Sequence, residues 1–165
     1  MEHKRNNLFA RMDTSDSDAA PLPAAEGIAN GISRGTGRLL RDMGYEVLEE
    51  FKLNSRRRAD LAGLDRKGRF VIVEIKSSLA DFRADSKWPD YLPHCDQFYF
   101  AVADDFPADK LPEDEGLIIA DSFHAAVQRA AQDRKMNGNR RRAQLLDFAR
   151  MSARRLAQAR DPGRR

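Results

Sequence analysis

Apolar residues recur along this chain with two different periods, and each change of period marks a boundary between elements. Ile28, Ile32, Leu39, Leu40 and Met43 fall at helical spacing, and Gly44 follows as a stop signal, so a first helix is predicted from near Glu26. Tyr45 to Phe51 (YEVLEEF) reads as a strand. Two further β-prone runs, RADLAGLD and RFVIVEIKS, flank Arg66, Lys67 and Gly68. Three-residue hairpin loops commonly end on a glycine with left-handed backbone. With Gly68 in that role, Asp65 pairs with Arg69 and Asp60 lies directly opposite Glu74. A two-residue Lys67-Gly68 loop would shift the register by one and send the two acids to different faces.

After Ser77-Ser78, the stretch LADFRADSKWPDYL predicts a short helix stopped at Pro89, and residues 97–102 (QFYFAV) predict a buried strand. GLIIAD (116–121) and AAVQR (125–129) form a candidate hairpin across Ser122, Phe123 and His124. From about Asn139 to Ala159 the pattern is that of a basic amphipathic helix with Leu145, Leu146, Phe148, Ala149 and Leu156 turned inward. The order is helix, three strands, helix, strand, hairpin, helix, with no internal repeat. Residues 1–24 lack periodicity and are rich in Ser, Asp, Ala and Pro, a composition expected of a disordered segment. One folded domain is therefore expected over 25–160, with a short tail at 161–165.

Composition narrows the classes without choosing among them. A hydrophobic fraction of 41% suffices for one core in 165 residues, and no apolar run approaches the ~20 residues that span a bilayer. No membrane is expected as a partner. Cys95 is the only cysteine, which excludes an internal disulfide and, with no apolar leader in the first residues, predicts a cytoplasmic protein. The net charge of +3 conceals blocks of opposite sign. Arg34 to Arg69 contains ten Lys/Arg; Asp104 to Asp121 contains seven acids and one lysine; Arg134 to Arg165 contains eleven bases and two acids. The basic blocks suit a polyanion, although each is also compatible with a simple solvated surface.

The candidate chemistry lies in the central hairpin. In the Gly68 register, Asp60 and Glu74 have Cβ atoms roughly 4.5–5.5 Å apart, near enough for both to reach one hard cation. Lys76 projects from the same face as Glu74, and the flanking positions Ala62, Leu64, Phe70 and Ile72 are apolar. Facing carboxylates in such surroundings repel each other, and bound Mg²⁺ or Mn²⁺ relieves that repulsion while acting as a Lewis acid. The backbone carbonyl of Ile75 is a candidate third ligand, and Lys76 is placed to orient or deprotonate a water or to neutralise phosphate charge. The competing readings are an exposed Glu-x-Lys ion pair and a turn-forming Asp60.

These residues resemble the core motif of the PD-(D/E)xK nuclease superfamily, an acid on one strand followed by Glu-x-Lys on the next. Asp60 and then Glu74-Ile75-Lys76 match it, with Ala59 where that motif often has proline. More narrowly, the span from about Ser33 to Phe148 resembles the MmcB-like DNA repair family. The resemblance rests on RADLAGLDRKGRFVIVEIKSSLADFRADSKWPDYLPHCDQFYFAV and LPEDEGLIIAD. It implies an α/β (α+β) fold with a restriction-endonuclease-like core, a mixed central sheet flanked by helices. It further implies a role in DNA repair, with DNA and other repair proteins as partners, in a bacterial cytosol or nucleoid. Many superfamily members carry an additional metal-binding Glu on the first helix, about eleven residues before the glycine that precedes the first strand. Counting back from Gly44 gives Ser33. Glu26 lies two turns earlier on the same face, roughly 10 Å along the helix at 1.5 Å per residue. The constellation points to a metal-dependent deoxyribonuclease. This departure motivates the alternative, a non-catalytic DNA-binding scaffold that keeps the nuclease fold, and RNA processing is a third option because phosphate chemistry does not distinguish sugars.

Other residues are weaker candidates. Arg34 and Arg38, one turn apart on the first helix, and Arg56, Arg57 and Arg58, just before Asp60, suit phosphate contacts. Lys87 is a further phosphate candidate. Trp88 stacks either on an unpaired base or on the protein's own core. His94 and Cys95 have no second ligand pair at zinc spacing, and Cys95 reads as a buried small hydrophobe. Gly35-Thr36-Gly37 lacks the Gly-Lys-Ser/Thr ending of a phosphate loop.

Overall fold

The structure, a computed structural model, describes residues 24–163. The segment 1–23, expected to be disordered, lies outside the described residues. Helix α1 (Ala24–Asp42) is followed by strands β1 (Glu46–Lys52), β2 (Arg58–Leu64) and β3 (Phe70–Lys76). Helix α2 (Leu79–Ala84) and a 3₁₀ segment (Trp88–His94) lead into β4 (Gln97–Val102); then come β5 (Gly116–Ala120), β6 (Ala125–Arg129) and helix α3 (Gly138–Arg160). The six strands form one sheet in sequence order, antiparallel from β1 to β3, parallel from β3 to β5, and antiparallel again between β5 and β6. This is the mixed sheet flanked by helices that the resemblance implies.

Alternation along the strands sorts the core into two layers. Leu61, Val71, Val73, Tyr99, Ala101 and Ile118 face Ile32 and Leu40 of α1. Phe70, Ile72, Phe98, Phe100 and Val102 face the opposite layer, where Tyr91 and Phe148 of α3 close over them. Fully burying each such large side chain contributes about 1.5–3 kcal/mol, so the aromatic layer is a principal source of stability. Every residue of β3 but Ile75 is buried, as expected of a central strand with elements on both sides.

Helix α1 ends in a double-bonded glycine stop. Gly44 takes left-handed backbone (φ +90°), its N–H reaches the Arg41 carbonyl at 2.9 Å, and Tyr45 N–H reaches Leu40 at 3.0 Å. Three expectations are corrected. Ile28 and Met43 are exposed, at 45% and 42%, so only the middle of the α1 stripe is buried. Helix α2 stops at Ala84, well before Pro89, because the chain turns away at Asp85 (φ −97°, ψ 88°). In α3, Leu146, Ala149 and Leu156 face outward, while Gln144 and Phe148 are buried.

The docking face of α3 is fixed by polar anchors. Arg141 forms two bonds to the Asp96 carboxylate (2.8 and 2.6 Å) and one to the Gly68 carbonyl (2.7 Å). The Gln144 amide donates to the His94 carbonyl at 2.8 Å. Phe148 packs on Phe51 and Phe70, with ring centroids 5.6 and 6.0 Å apart.

Candidate active site

The turn between β2 and β3 decides where the chemistry falls. Gly68 takes left-handed backbone (φ +76°), and its N–H donates to the Asp65 carbonyl at 3.1 Å. The Asp65 carboxylate accepts from Lys67 and Arg69 N–H, both at 2.8 Å. Asp65 N–H donates to Arg69 at 3.0 Å, and the ladder runs from Leu64↔Phe70 to Leu61↔Val73. The three-residue loop is therefore the one formed, and one step further places Asp60 opposite Glu74. At that step a side chain replaces the backbone: Asp60 Oδ2 accepts the Ile75 N–H at 2.7 Å.

Glu50 faces Asp60 from the other side. The β1–β2 pairing passes from Glu49↔Leu61 to Phe51↔Ala59, and the intervening Glu50 has left-handed backbone (φ +51°). For a non-glycine residue this costs on the order of 1–3 kcal/mol, and such strain gathers at functional sites. The Glu50 carboxylate meets Arg58 at 2.5 Å.

Glu74 and Lys76 are buried, at 7% and 3% exposure. The Lys76 ammonium lies 2.6 Å from Asp85 and 3.3 Å from Glu74. Burial opposes its charge, but these contacts hold its pKa above the ordinary lysine value. Burial first, and then the Asp60 charge, push Glu74 up to about 8. Asp60 is raised as well, chiefly by burial. The Asp85 carboxyl is drawn below its usual range, against the penalty of burial, by Lys76 and by the Lys87 N–H. One oxygen of Glu74, Oε2, is buried without a hydrogen-bond partner among the described residues. Beneath the acids, the Tyr91 hydroxyl donates to the Arg58 carbonyl at 2.9 Å. Burial and the neighbouring carboxylates raise its pKa.

Asp60, Glu74, Ile75 and Lys76 line an open cavity of about 380 Å³. Ser33 and Asn30 of α1 contribute to it, as do Glu49, Glu50 and Asp81. Ser33 therefore stands in the cavity at the position where the superfamily resemblance expects an acid, and the side chain of Glu26 lies outside the described residues. Asp81 belongs to a local cap: Ser78 Oγ accepts its N–H at 3.1 Å, and its carboxylate accepts Ser77 N–H at 3.2 Å. Among the described residues no group of three or more His, Cys, Asp or Glu is arranged to hold a metal ion.

The structure thus brings Asp60, Glu74, Ile75 and Lys76 together. The weaker candidates are scattered. Arg34 and Arg38 are exposed on α1, and the Arg38 guanidinium donates to the Ser122 carbonyl. Arg56 sits in the β1–β2 turn with left-handed backbone (φ +66°), Arg57 pairs with Asp90 at 2.6 Å, and Arg58 with Glu50. Lys87 is exposed, and Trp88 packs on Phe98 and Phe100 at 5.7 and 5.3 Å. Cys95 is fully buried, with its thiol pushed up to about 12 by desolvation, and His94 bonds Gln144 at 3.3 Å. Sequence reasoning missed the roles of Asp85, Tyr91 and Glu50. Each reaches the site through tertiary packing, and none carries a local motif.

A mixed six-stranded sheet flanked by helices, with two acids and a lysine at the end of adjacent strands, defines an α+β protein consistent with a restriction-endonuclease-like core. The chain belongs to the MmcB-like DNA repair protein family, whose model, described as DNA repair protein MmcB-like, matches residues 23–163. Among solved structures it is similar to the SPO1766 protein of unknown function from Silicibacter pomeroyi. The two are 42% identical over 83% of this chain and 94% of that one, with a TM-score of 0.79. No curated protein matches the chain. No helix among the described residues is long and apolar enough to cross a membrane.

Proposed function

We propose that this DNA repair protein is a Mg²⁺- or Mn²⁺-dependent endonuclease that hydrolyses phosphodiester bonds in structured or damaged DNA in the bacterial cytosol. The observation that carries the reading is the unpartnered, buried Glu74 Oε2 opposite Asp60, in an open cavity beside a lysine. Both acids have raised pKa values, chiefly from burial, and a hard divalent ion is the group that stabilises such carboxylates in their charged form. The donor set fits. Asp60 and Glu74 would hold the ion with the Ile75 carbonyl, and Mg²⁺ ordinarily keeps several waters. When bound, the ion supplies Lewis acidity to a phosphate oxygen and lowers the pKa of a coordinated water.

The chain's own residues account for the remaining work. Lys76, kept cationic by Asp85 and Glu74, acts as a fixed positive charge that orients the attacking water or neutralises charge developing on the phosphate. An ammonium whose pKa is raised is a poor base, so proton removal is not assigned to it. Purified protein is expected to nick at least one of flap, junction, nicked or single-stranded DNA with Mn²⁺. Lys76→Ala is expected to lose at least about 100-fold in rate, at the lower end of what removing one such group costs. A folded Lys76→Ala protein with undiminished cleavage would defeat the mechanism.

A second reading, a non-catalytic DNA-binding scaffold, is favoured by Ser33 standing where an acid is expected and by the lack of a three-carboxylate group among the described residues. Calorimetric titration with Mn²⁺ separates the two readings. A saturable site that disappears in Glu74→Ala supports the enzyme, and absence of binding supports the scaffold.

A further inference from the structure

Among the described residues, the outer face of α3 is used neither by the fold nor by the site. Its inner face is committed through Arg141, Gln144 and Phe148. On the side away from these, Arg142, Arg150, Arg154 and Arg160 are exposed. Among the described residues, none of the four lies within ion-pair distance of a carboxylate. The exposed residues between them include Ala149, Ala153 and Ala157, whose small side chains keep the ridge low. Asp147 is the only acid in the helix.

From Arg142 to Arg160 the ridge runs about 27 Å at 1.5 Å per residue, close to the ~34 Å of one turn of duplex. The helix that carries the ridge also approaches the site, through its inner side. The Arg155 guanidinium reaches the Glu50 carbonyl at 3.4 Å, and Glu50 lines the cavity that holds Asp60 and Glu74. Leu146 and Leu156 are exposed as well and are joined only by alanines, a shallow stripe flanked by the four arginines, which suits a polyanion better than an apolar protein partner. A second copy of the chain would present the same sign of charge. Duplex DNA offers one negative charge per ~1.7 Å of axis and needs no apolar seam.

We infer that the outer face of α3 is a sequence-independent, phosphate-binding surface for duplex DNA that leads the duplex to the rim of the Glu50–Asp60–Glu74 cavity. The inference goes beyond the hydrolytic reading and does not require it, because phosphate contacts of this kind form without a metal.

The test measures fluorescence anisotropy of a labelled duplex of about 20 base pairs, one able to cover the ridge, with the full chain in EDTA. The variant R142A/R150A/R154A/R160A retains helix propensity, since alanine is the best helix former. It is expected to bind at least about tenfold more weakly at moderate salt, and to reduce the slope of log affinity against log salt by about 3–4, at ~0.9 per phosphate contact. The corresponding four-lysine variant should keep most of the slope. Because the measurement is made in EDTA, failure of the hydrolytic reading leaves this result intact. Equal affinity and slope for wild type and the alanine variant would overturn the inference. So would poly-glutamate displacing the protein as effectively as unlabelled duplex does.

Discussion

Two clusters of buried charge lie at opposite ends of β3, and they are built to opposite rules. At the Phe70 end, Asp96 is saturated: Oδ1 accepts from Arg141 at 2.6 Å, and Oδ2 accepts from Arg141 at 2.8 Å and from Phe70 N–H at 2.7 Å. Against the penalty of burial, these donors hold the Asp96 carboxyl below the usual range. At the other end, Glu74 and Asp85 share the Lys76 ammonium while Asp60 accepts the Ile75 N–H, one Glu74 oxygen has no partner, and Glu74 is pushed up to about 8. The first cluster balances its charge and fastens α3 to the sheet. The second carries an excess of acid over base that the described residues do not neutralise. The second cluster is what the proposed metal site would require, whereas the first is complete as a structural ion pair.

The largest expected effect comes from breaking the saturated cluster. Arg141→Ala leaves Asp96 buried without its cation, and a loss of about 3–5 kcal/mol in denaturant unfolding is expected. An equal loss from Glu74→Gln would erase the contrast. The expected sign for Glu74→Gln is opposite: removing a buried carboxylate with one oxygen left without a partner should raise stability by about 1 kcal/mol or more at alkaline pH, and is expected to abolish Mn²⁺ binding at the proposed site.

The pH dependence sharpens the same point. Because folding raises Glu74 from 4.5 to about 8, the folded state retains a proton that the unfolded chain releases. Stability from this group is fully present below about pH 4.5 and is lost as the pH rises through about 8; Glu74→Gln should flatten that slope. At the proposed metal site protons and the ion would compete for the same oxygens, so Mn²⁺ affinity is expected to fall by about tenfold per unit as the pH drops below about 8. The smallest effect belongs to His94, whose pKa is lowered chiefly by burial. Its contribution is present above the ordinary histidine value and is lost as the pH falls through the lower folded value. Proton titration of His94 by NMR checks the direction.

The central hairpin was legible because its causes are local. Gly68 ends a three-residue loop, Asp65 closes it, and the pleat then carries Asp60 to Glu74 and Lys76 without reference to the rest of the chain. Strand β4 and the β5–β6 hairpin were equally plain. The long helices were legible in extent but not in orientation. For α3, Arg141 and Gln144 hold the inner face, and counting apolar residues gives no weight to such polar anchors, so the apolar pattern turns Leu146 and Leu156 inward although both are exposed. The charge pattern extends helix α2 past Asp85, whereas the helix ends at Ala84; released from it, the Asp85 carboxylate reaches Lys76.

By itself, the sequence determined what propensity and spacing dictate over a dozen or so residues: the strands, the turn, the helix stop at Gly44, and the pairing of two acids with a lysine. Tertiary structure alone decided how those charges are held. Desolvation and Coulomb interaction depend on which distant segments close over a group, and here those segments are α1 with Ser33, the Glu50 kink, Tyr91 and Asp85. Only once they surround Glu74 does an ordinary carboxylate become a buried acid with an oxygen left open.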